Sequence, residues 1–515
     1  MSEKSNSFAK SVSGFAAASL ITKVLGYIRD AMLVAYFGGG ALSDAYYAAL
    51  RLVNVFRRTV GEGAVNAAFI PRLEKERARS EAGAGKFFSS VWTLLFMVSA
   101  ALAAGGVLLR RPIVAALTGG FAADRGQFEL TALLTAVLMP HLVFVNAAAL
   151  LQAALNAARR FFAPALAGAA FSLALISCLL LMRFGFGAAL SPAGKITLLA
   201  AAASLSGLIQ AAIMARMAVK EGYSLALVSP RRALREGAGA LALAMAAAAA
   251  LAQDQLSMLI NTVFASFLEP GSITAVYNAA RIAQFPVSLF AASAAAVCLP
   301  EISRAAAGGR GNSCALEHAL KTTALIMLPA AAGLMILCLP LSRALFEHGR
   351  FTFQSSELTA GAIFYLALGL PAYGLNKVAL CAFYGAGENL LPAKAVFLQL
   401  FANALLAALL VKDLGVGGLM LATSLSSWGA AVFLALRLGR TGGFSAPGLT
   451  RSFIKIAGAS AVMGAVVLAG KYFFSPAMGP APLTILCVGA GLAAYLLALK
   501  ALRCEDRKLI TGGFL

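Results

Sequence analysis

Apolar stretches of 18 or more residues recur along almost the whole chain, separated by short runs rich in charged residues, Gly and Pro. Helices of that length cross the ~30 Å hydrocarbon core of a bilayer, whereas barrel strands would show roughly ten-residue alternation. The pattern predicts fourteen spans, at 12–36, 42–69, 87–109, 128–155, 162–182, 196–215, 237–268, 272–299, 319–342, 356–384, 391–411, 415–436, 452–473 and 481–499. The fold class expected is an all-α polytopic membrane protein with about 14 transmembrane helices.

Composition narrows the class further. Of 515 residues, 60% are hydrophobic and only 12% charged, about half the charged share of soluble domains. A soluble enzyme, a secreted disulfide scaffold and a disordered chain are excluded. The polar N-terminus, followed by Lys23, Arg29 and Asp30 inside the first apolar stretch, is unlike a cleavable signal peptide. The seven cysteines are scattered without a C-x-x-C pair and read as small core residues. The three histidines (His141, His318, His348) stand far apart, so neither a metal site nor a cofactor is expected. No nucleophile motif, P-loop or D-D-x-x-D signature argues for catalysis.

The net charge of +21 suggests nucleic acid until its placement is read. With fourteen spans both termini share one side, and 26 of the 42 lysines and arginines fall there, against nine on the other side. This is the positive-inside asymmetry, and it puts both termini in the cytoplasm. No basic stripe interleaves with exposed aromatics, so nucleic acid is not an expected partner.

A shift of 230 residues lays the second span on the eighth: Tyr47 meets Tyr277, Ala49 meets Ala279 and Arg51 meets Arg281, and, one residue out of register, Phe69–Leu73 meets Cys298–Ile302. The repeat predicts a six-helix bundle over 1–225, a second over 226–440, and two added helices with a cytoplasmic tail over 441–515. Repeats in the same orientation are expected to face each other across a cavity, with substrate near the midplane.

Charges inside spans are costly, about 2.5–3.5 kcal/mol each at a helix centre, and are functional by default. Ten occur here: Lys23, Arg29, Asp30, Asp44, Arg51, Arg57, Arg58, Glu62, Arg281 and Lys377. Arg51 and Arg58 share a helical face, as do Arg58 and Glu62. Arg57 lies about a dozen residues, or ~18 Å, before Pro71, where the second span is expected to leave the membrane. Snorkelling at a span end is the competing reading, strongest for Asp44. Arg29–Asp30 and Arg58–Glu62 are close enough in sequence to neutralise each other in part. The remaining surplus of cations calls for an anionic substrate. For sodium coupling, Asn261, Gln399, Asn403, Thr423 and Ser424 offer polar oxygens without an acid, a poor tight site.

These residues carry a resemblance. T-K-V-L-G-Y-I-R-D-A (22–31), F-G-G-G-x-x-S-D-A-Y-Y-A-A (37–49), N-V-F-R-R-x-x-x-E-G-A (54–64), F-I-P (69–71), N-x-x-F-A-S-F-L (261–268), A-R-x-x-x-F-P (280–286) and L-F-E-H-G-R-F-T (345–352) resemble the MurJ (MviN) family of lipid II flippases in the MOP exporter superfamily. The resemblance implies transport, not catalysis: passage of undecaprenyl-diphosphate-linked disaccharide-pentapeptide across the bacterial inner membrane for peptidoglycan synthesis. It assigns Lys23, Arg29, Asp30, Asp44, Arg57, Arg58, Glu62 and Arg281 to substrate handling. Lys23 stands where relatives usually carry arginine, keeping the charge without the bidentate fork. The implied partners are lipid II, membrane lipids and other cell-wall synthesis proteins, and the last two spans resemble a pair that in relatives forms a groove for the lipid tail. Two alternatives remain: an exporter of drugs or of another lipid-linked oligosaccharide, which the cationic interior and the extra helix pair disfavour, and a membrane enzyme acting on polyprenyl phosphate, which lacks the acidic metal-diphosphate site it would need.

Overall fold

The computed structural model describes residues 2–57, 64–160, 162–251, 253–288, 313–388, 390–440, 446–502 and 504. Every regular element among them is helical. The chain forms two compact units, residues 1–267 and 268–515.

Unit 1 contains α1 (Ser2–Phe37), α2 (Ala41–Phe56), α3 (Ala64–Arg79), α4 (Glu81–Leu108), α5 (Arg110–Leu117), α6 (Arg125–Ala157), α7 (Phe162–Ala167), α8 (Ala169–Arg183), α9 (Pro192–Lys220), α10 (Pro230–Leu251) and α11 (Gln253–Ala265). Helix starts follow their caps: Ser80, Asp124 and Ser191 each accept the backbone N–H three residues on, opening α4, α6 and α9. Gly38 ends α1 in the left-handed region, at φ 85°. Pro71 does not end a helix: it lies inside α3, which runs on through the polar 74–79 segment.

Helix α6 is the axis of unit 1, with α2, α4 and α9 packed on it, while α10 packs on α3 and α4 and α1 lies on α7 and α8. One core cluster joins Phe69 and Leu73 to Phe87, Phe88 and Leu150–Leu155. Tyr223 closes it with a hydroxyl that donates to the Ala154 carbonyl (3.2 Å) and accepts from Arg77 Nη2 (2.6 Å). Burial pushes the Tyr223 phenol above its ordinary range, with Arg77 opposing the shift. At the far end a short turn, Gly119–Ala123, lies against the end of α11. A Cβ on Gly120 would stand 2.1 Å from the Ser266 carbonyl oxygen, so only glycine allows this approach.

Unit 2 contains α12 (Ser272–Pro286), α13 (Ser313–Phe346), α14 (Phe353–Ala367), α15 (Leu370–Gly385), α16 (Leu390–Arg440), α17 (Ala446–Phe474) and α18 (Pro480–Ala501). Helix α13 is central, touching α14, α15, α17 and α18. The long α16 is two helices joined at Gly415 (φ 53°, ψ −130°), which reproduces the expected break between the 391–411 and 415–436 spans. The expected 356–384 span is instead a pair, α14 and α15, bent by 45°. The bend frees carbonyls that cannot stay bare in hydrocarbon. Ser424 Oγ donates to the Tyr365 carbonyl (2.7 Å) and Trp428 Nε1 to that of Leu368 (2.9 Å).

Among the described residues eight helices are long and apolar enough to cross a membrane, and the bent pair makes a ninth. Helix α1, which carries Lys23, Arg29 and Asp30, is not among them. Large apolar side chains such as Phe397, Ile454 and Ile485 face outward, as contact with lipid requires.

Candidate functional site

Helix α1 delivers the first buried charges. Arg29 and Asp30 are 6% and 2% exposed. Consecutive side chains on a helix ordinarily diverge. Here the guanidinium folds back, and its Nε and Nη2 donate to one oxygen, Asp30 Oδ1, at 2.8 and 2.6 Å. Because α1 packs on α8, the same guanidinium meets that helix: Nη1 reaches Ser172 Oγ at 3.5 Å, and Cζ lies 4.9 Å over the Phe171 ring. The two charges therefore offset one another, as their adjacency in sequence suggested.

Helix α2 brings the next set. Asp44 is buried in its first turn, where the positive end of the helix favours a carboxylate. Arg51 is also buried, and Arg57, at the C-terminal end of α2, is half-buried. Arg57 lies within electrostatic range of His141 on α6. The His141 ring is 5.3 Å from that of Phe171, and α9 makes room for it with Gly207, where a Cβ would come within 2.6 Å of Nδ1. Phe171 is thus shared by Arg29 and His141. Four helices, α1, α2, α6 and α8, gather an ion pair, a second arginine and an imidazole into one polar neighbourhood of unit 1.

His141, Phe171 and Ser172 were not among the residues the sequence singled out for substrate. The one available signal, for His141, was an imidazole next to Pro140 in a largely apolar span. Lys23 is half-buried on α1, seven residues before Asp30. Arg58 and Glu62 lie outside the described residues, and so does their expected pairing. Arg281 is half-buried in unit 2 on α12. Helices α2 and α12 each begin directly after a glycine, Gly40 and Gly271, and bury most of their length. Of the buried or half-buried charged residues of α1, α2 and its C-terminal cap, Lys23, Arg29, Arg51 and Arg57 are cations and Asp30 and Asp44 are carboxylates.

Of the polar residues considered for sodium, Thr423 and Asn403 engage each other, and Gln399 and Ser424 engage other groups of unit 2. In unit 2, Gln399 Nε2 donates to Ser427 Oγ (2.8 Å), Thr423 Oγ1 donates to Asn403 Oδ1 (3.2 Å), and Asn376 Nδ2 donates to the Ser427 carbonyl (3.0 Å). Asn261 belongs to unit 1. Unit 2 also carries an apolar groove of about 470 Å³ between α13 and α17, lined by Leu328, Ala331, Met335, Ala461, Gly464 and Leu468 among others.

The family model for the lipid II flippase MurJ matches residues 33–489. A probable lipid II flippase MurJ of Rhizobium meliloti (strain 1021) is 31% identical, over 93% of this chain and 91% of the relative. The lipid II flippase MurJ of Burkholderia cenocepacia is 28% identical, over 88% of each. A solved lipid II flippase MurJ in an inward closed conformation superposes with a TM-score of 0.79, at 23% identity, covering 96% of this chain and 99% of that one. An inward-facing multidrug resistance MATE family transporter of the MOP superfamily gives 0.64 at 18% identity, over 81% of this chain and 95% of that one, a likeness of fold alone. With a match that runs from the end of α1 into α18, this multi-pass membrane protein belongs to the lipid II flippase MurJ family.

Proposed function

We propose that this chain is a lipid II flippase, carrying the undecaprenyl-diphosphate-linked disaccharide-pentapeptide from the cytoplasmic to the periplasmic leaflet. The names of its relatives support the reading, and the observation that carries it is the gathering of Lys23, Arg29, Arg51 and Arg57, buried or half-buried, on α1 and α2. Charge held away from water is costly unless opposite charge or hydrogen bonds offset it. A diphosphate is a compact anion suited to such a cationic neighbourhood, and arginines suit its oxygens because several charge-assisted bonds form at once. A cationic drug would meet repulsion in the same place.

The substrate's parts divide by solubility. Diphosphate, sugars and peptide need a wet, polar path, whereas the polyprenyl tail can remain in lipid. The apolar groove between α13 and α17 suits the tail, and the arginines of unit 1, with Arg281 of unit 2, suit the head. Lys23, Arg57 and Arg58 are its direct cationic contacts in this reading, and Arg29 acts as a cation held in place by Asp30. Asp44 and Glu62 temper the surplus. Alternating exposure of the two repeated bundles, 1–225 and 226–440, moves the head between faces, and the 441–515 segment adds the tail groove. Both termini lie in the cytoplasm, and cell-wall synthesis proteins are the partners that supply and consume lipid II.

Complementation of a strain depleted of its lipid II flippase, with leaflet-specific labelling of the precursor, tests the whole reading. Binding tests its electrostatic core. The double variant Arg57→Ala/Arg58→Ala is expected to weaken the full precursor and bare undecaprenyl diphosphate by a similar factor, since each lost charge-assisted bond is worth about 1.5–3 kcal/mol. Unchanged affinity for undecaprenyl diphosphate would assign these arginines to the peptide or to structure.

A further inference from the structure

Helix α13 contains two prolines, Pro329 and Pro340. A proline has no N–H, so each leaves the carbonyl four residues earlier without its helical partner: Leu325 and Ile336. Both carbonyls are taken by side chains from the last two helices. Tyr495 Oη on α18 donates to the Leu325 oxygen at 2.6 Å, and Lys471 Nζ on α17 donates to the Ile336 oxygen at 2.9 Å. The two carbonyls are eleven residues, or about three turns and ~16 Å, apart, so they open on the same face of α13.

The groove between α13 and α17 lies along this stretch. Its lining residues on α13 run from Leu328 to Ile336, and those on α17 from Ala457 to Leu468. Its walls are largely small: Ala331, Ala332, Ala457, Ala461 and Gly464. Helices in lipid have no hydrophobic force drawing them together and associate through packing and interhelical hydrogen bonds. Small walls that leave a groove forgo part of the packing. The apolar packing of Leu325, Leu337, Ile456, Met463, Val467 and Leu483 joins α17 and α18 to α13, and the two bonds to the proline-freed carbonyls, one toward each end of the groove, fix the register of that packing while the groove stays open.

We infer that Tyr495 and Lys471 are positioning residues that hold this groove open for a polyisoprenoid chain. The inference rests on the reading of the groove as a tail site given above. It makes the prolines and their distant donors one device: the prolines create the acceptors, and the added helix pair supplies the donors.

The test compares undecaprenyl diphosphate with inorganic diphosphate, which lacks the tail, on the purified full chain. Tyr495→Phe/Lys471→Met is expected to lower affinity for undecaprenyl diphosphate about tenfold and to leave inorganic diphosphate unchanged. That variant also strands two carbonyls and is expected to melt earlier for that reason alone. A second variant adds Pro329→Ala and Pro340→Ala, which returns the backbone N–H groups. It should regain the wild-type melting temperature and still lack the preference for the tailed ligand. A variant that keeps the full preference, or that loses affinity equally for both ligands, overturns the inference while leaving the flippase reading intact. A wild-type chain that binds both ligands equally overturns the tail-groove reading, and the positioning role with it.

Discussion

Asp30→Asn should cost more stability than its small change in shape suggests. In the wild type the Arg29 guanidinium and the Asp30 carboxylate meet at 2.6 Å, with side chains 8% and 3% exposed. At an effective dielectric of about 20 and charge centres ~4 Å apart, their attraction is about 4 kcal/mol. Removing one partner of such a pair typically costs about 3–5 kcal/mol, because the other charge remains buried. Asp30→Asn and Arg29→Ala should each lower the melting temperature of the purified protein in detergent. Arg29→Met/Asp30→Leu leaves no stranded charge and should recover most of the loss. Activity should separate from stability: the double variant melts near wild type but fails to complement a flippase-depleted strain, since the cation is gone. The reasoning is refuted if Asp30→Asn melts like wild type, or if the double variant is no more stable than either single one. Growth supported by the double variant would remove Arg29 from any part in holding the anion.

Two further outcomes follow from the cation asymmetry and from the contacts of α10. A reporter fused after Arg79 or Arg232 should read cytoplasmic, and one after Gly119 or Arg350 periplasmic; inversion at any two of the four discards the fourteen-span topology. Glu236, just before the seventh span, accepts from Ser90 Oγ at 2.7 Å and from Arg232 Nε at 3.1 Å. The Ser90 hydrogen bond, helped by Arg232 and Arg235, holds its carboxyl below the ordinary value of 4.5. A depressed value stabilises the fold above that ordinary value, and the contribution is lost as pH falls through the lower, folded one. Glu236→Gln should therefore melt earlier than wild type at pH 7, with the difference closing in acid; a pH-independent difference would mean that the charge is not what matters.

Much of the architecture was legible because membrane helices announce themselves by length and apolarity. The break between the 391–411 and 415–436 spans was readable from the Lys412–Gly415 interruption, and the structure turns there at Gly415. The bend between α14 and α15 was not: Gly369 and Pro371 mark it, yet glycine and proline are common in straight membrane helices and gave no unique signal. Likewise Pro71 looked like the end of a span but sits inside α3, which continues as a helix into the polar segment. At the site, adjacency alone suggested the Arg29–Asp30 pair. Its cradle of Ser172 and Phe171 comes from a helix some 140 residues later, and the His141 ring finds its place because Gly207 leaves room for it between α6 and α9. Such meetings depend on tertiary packing, to which a one-dimensional pattern is blind.

The partners of α13 also bear on how the protein is made. Leu325 waits for a donor 170 residues downstream and Ile336 for one 135 residues downstream. At the usual synthesis speed of about 5–20 residues per second, the first of these intervals is roughly 10–30 s. During that time α13 has been synthesised with two carbonyls still lacking their final donors. Biogenesis of unit 2 is thus paced by its C-terminal end, and a chain cut before Lys471 would leave the insertion machinery with a helix that has no way to complete itself.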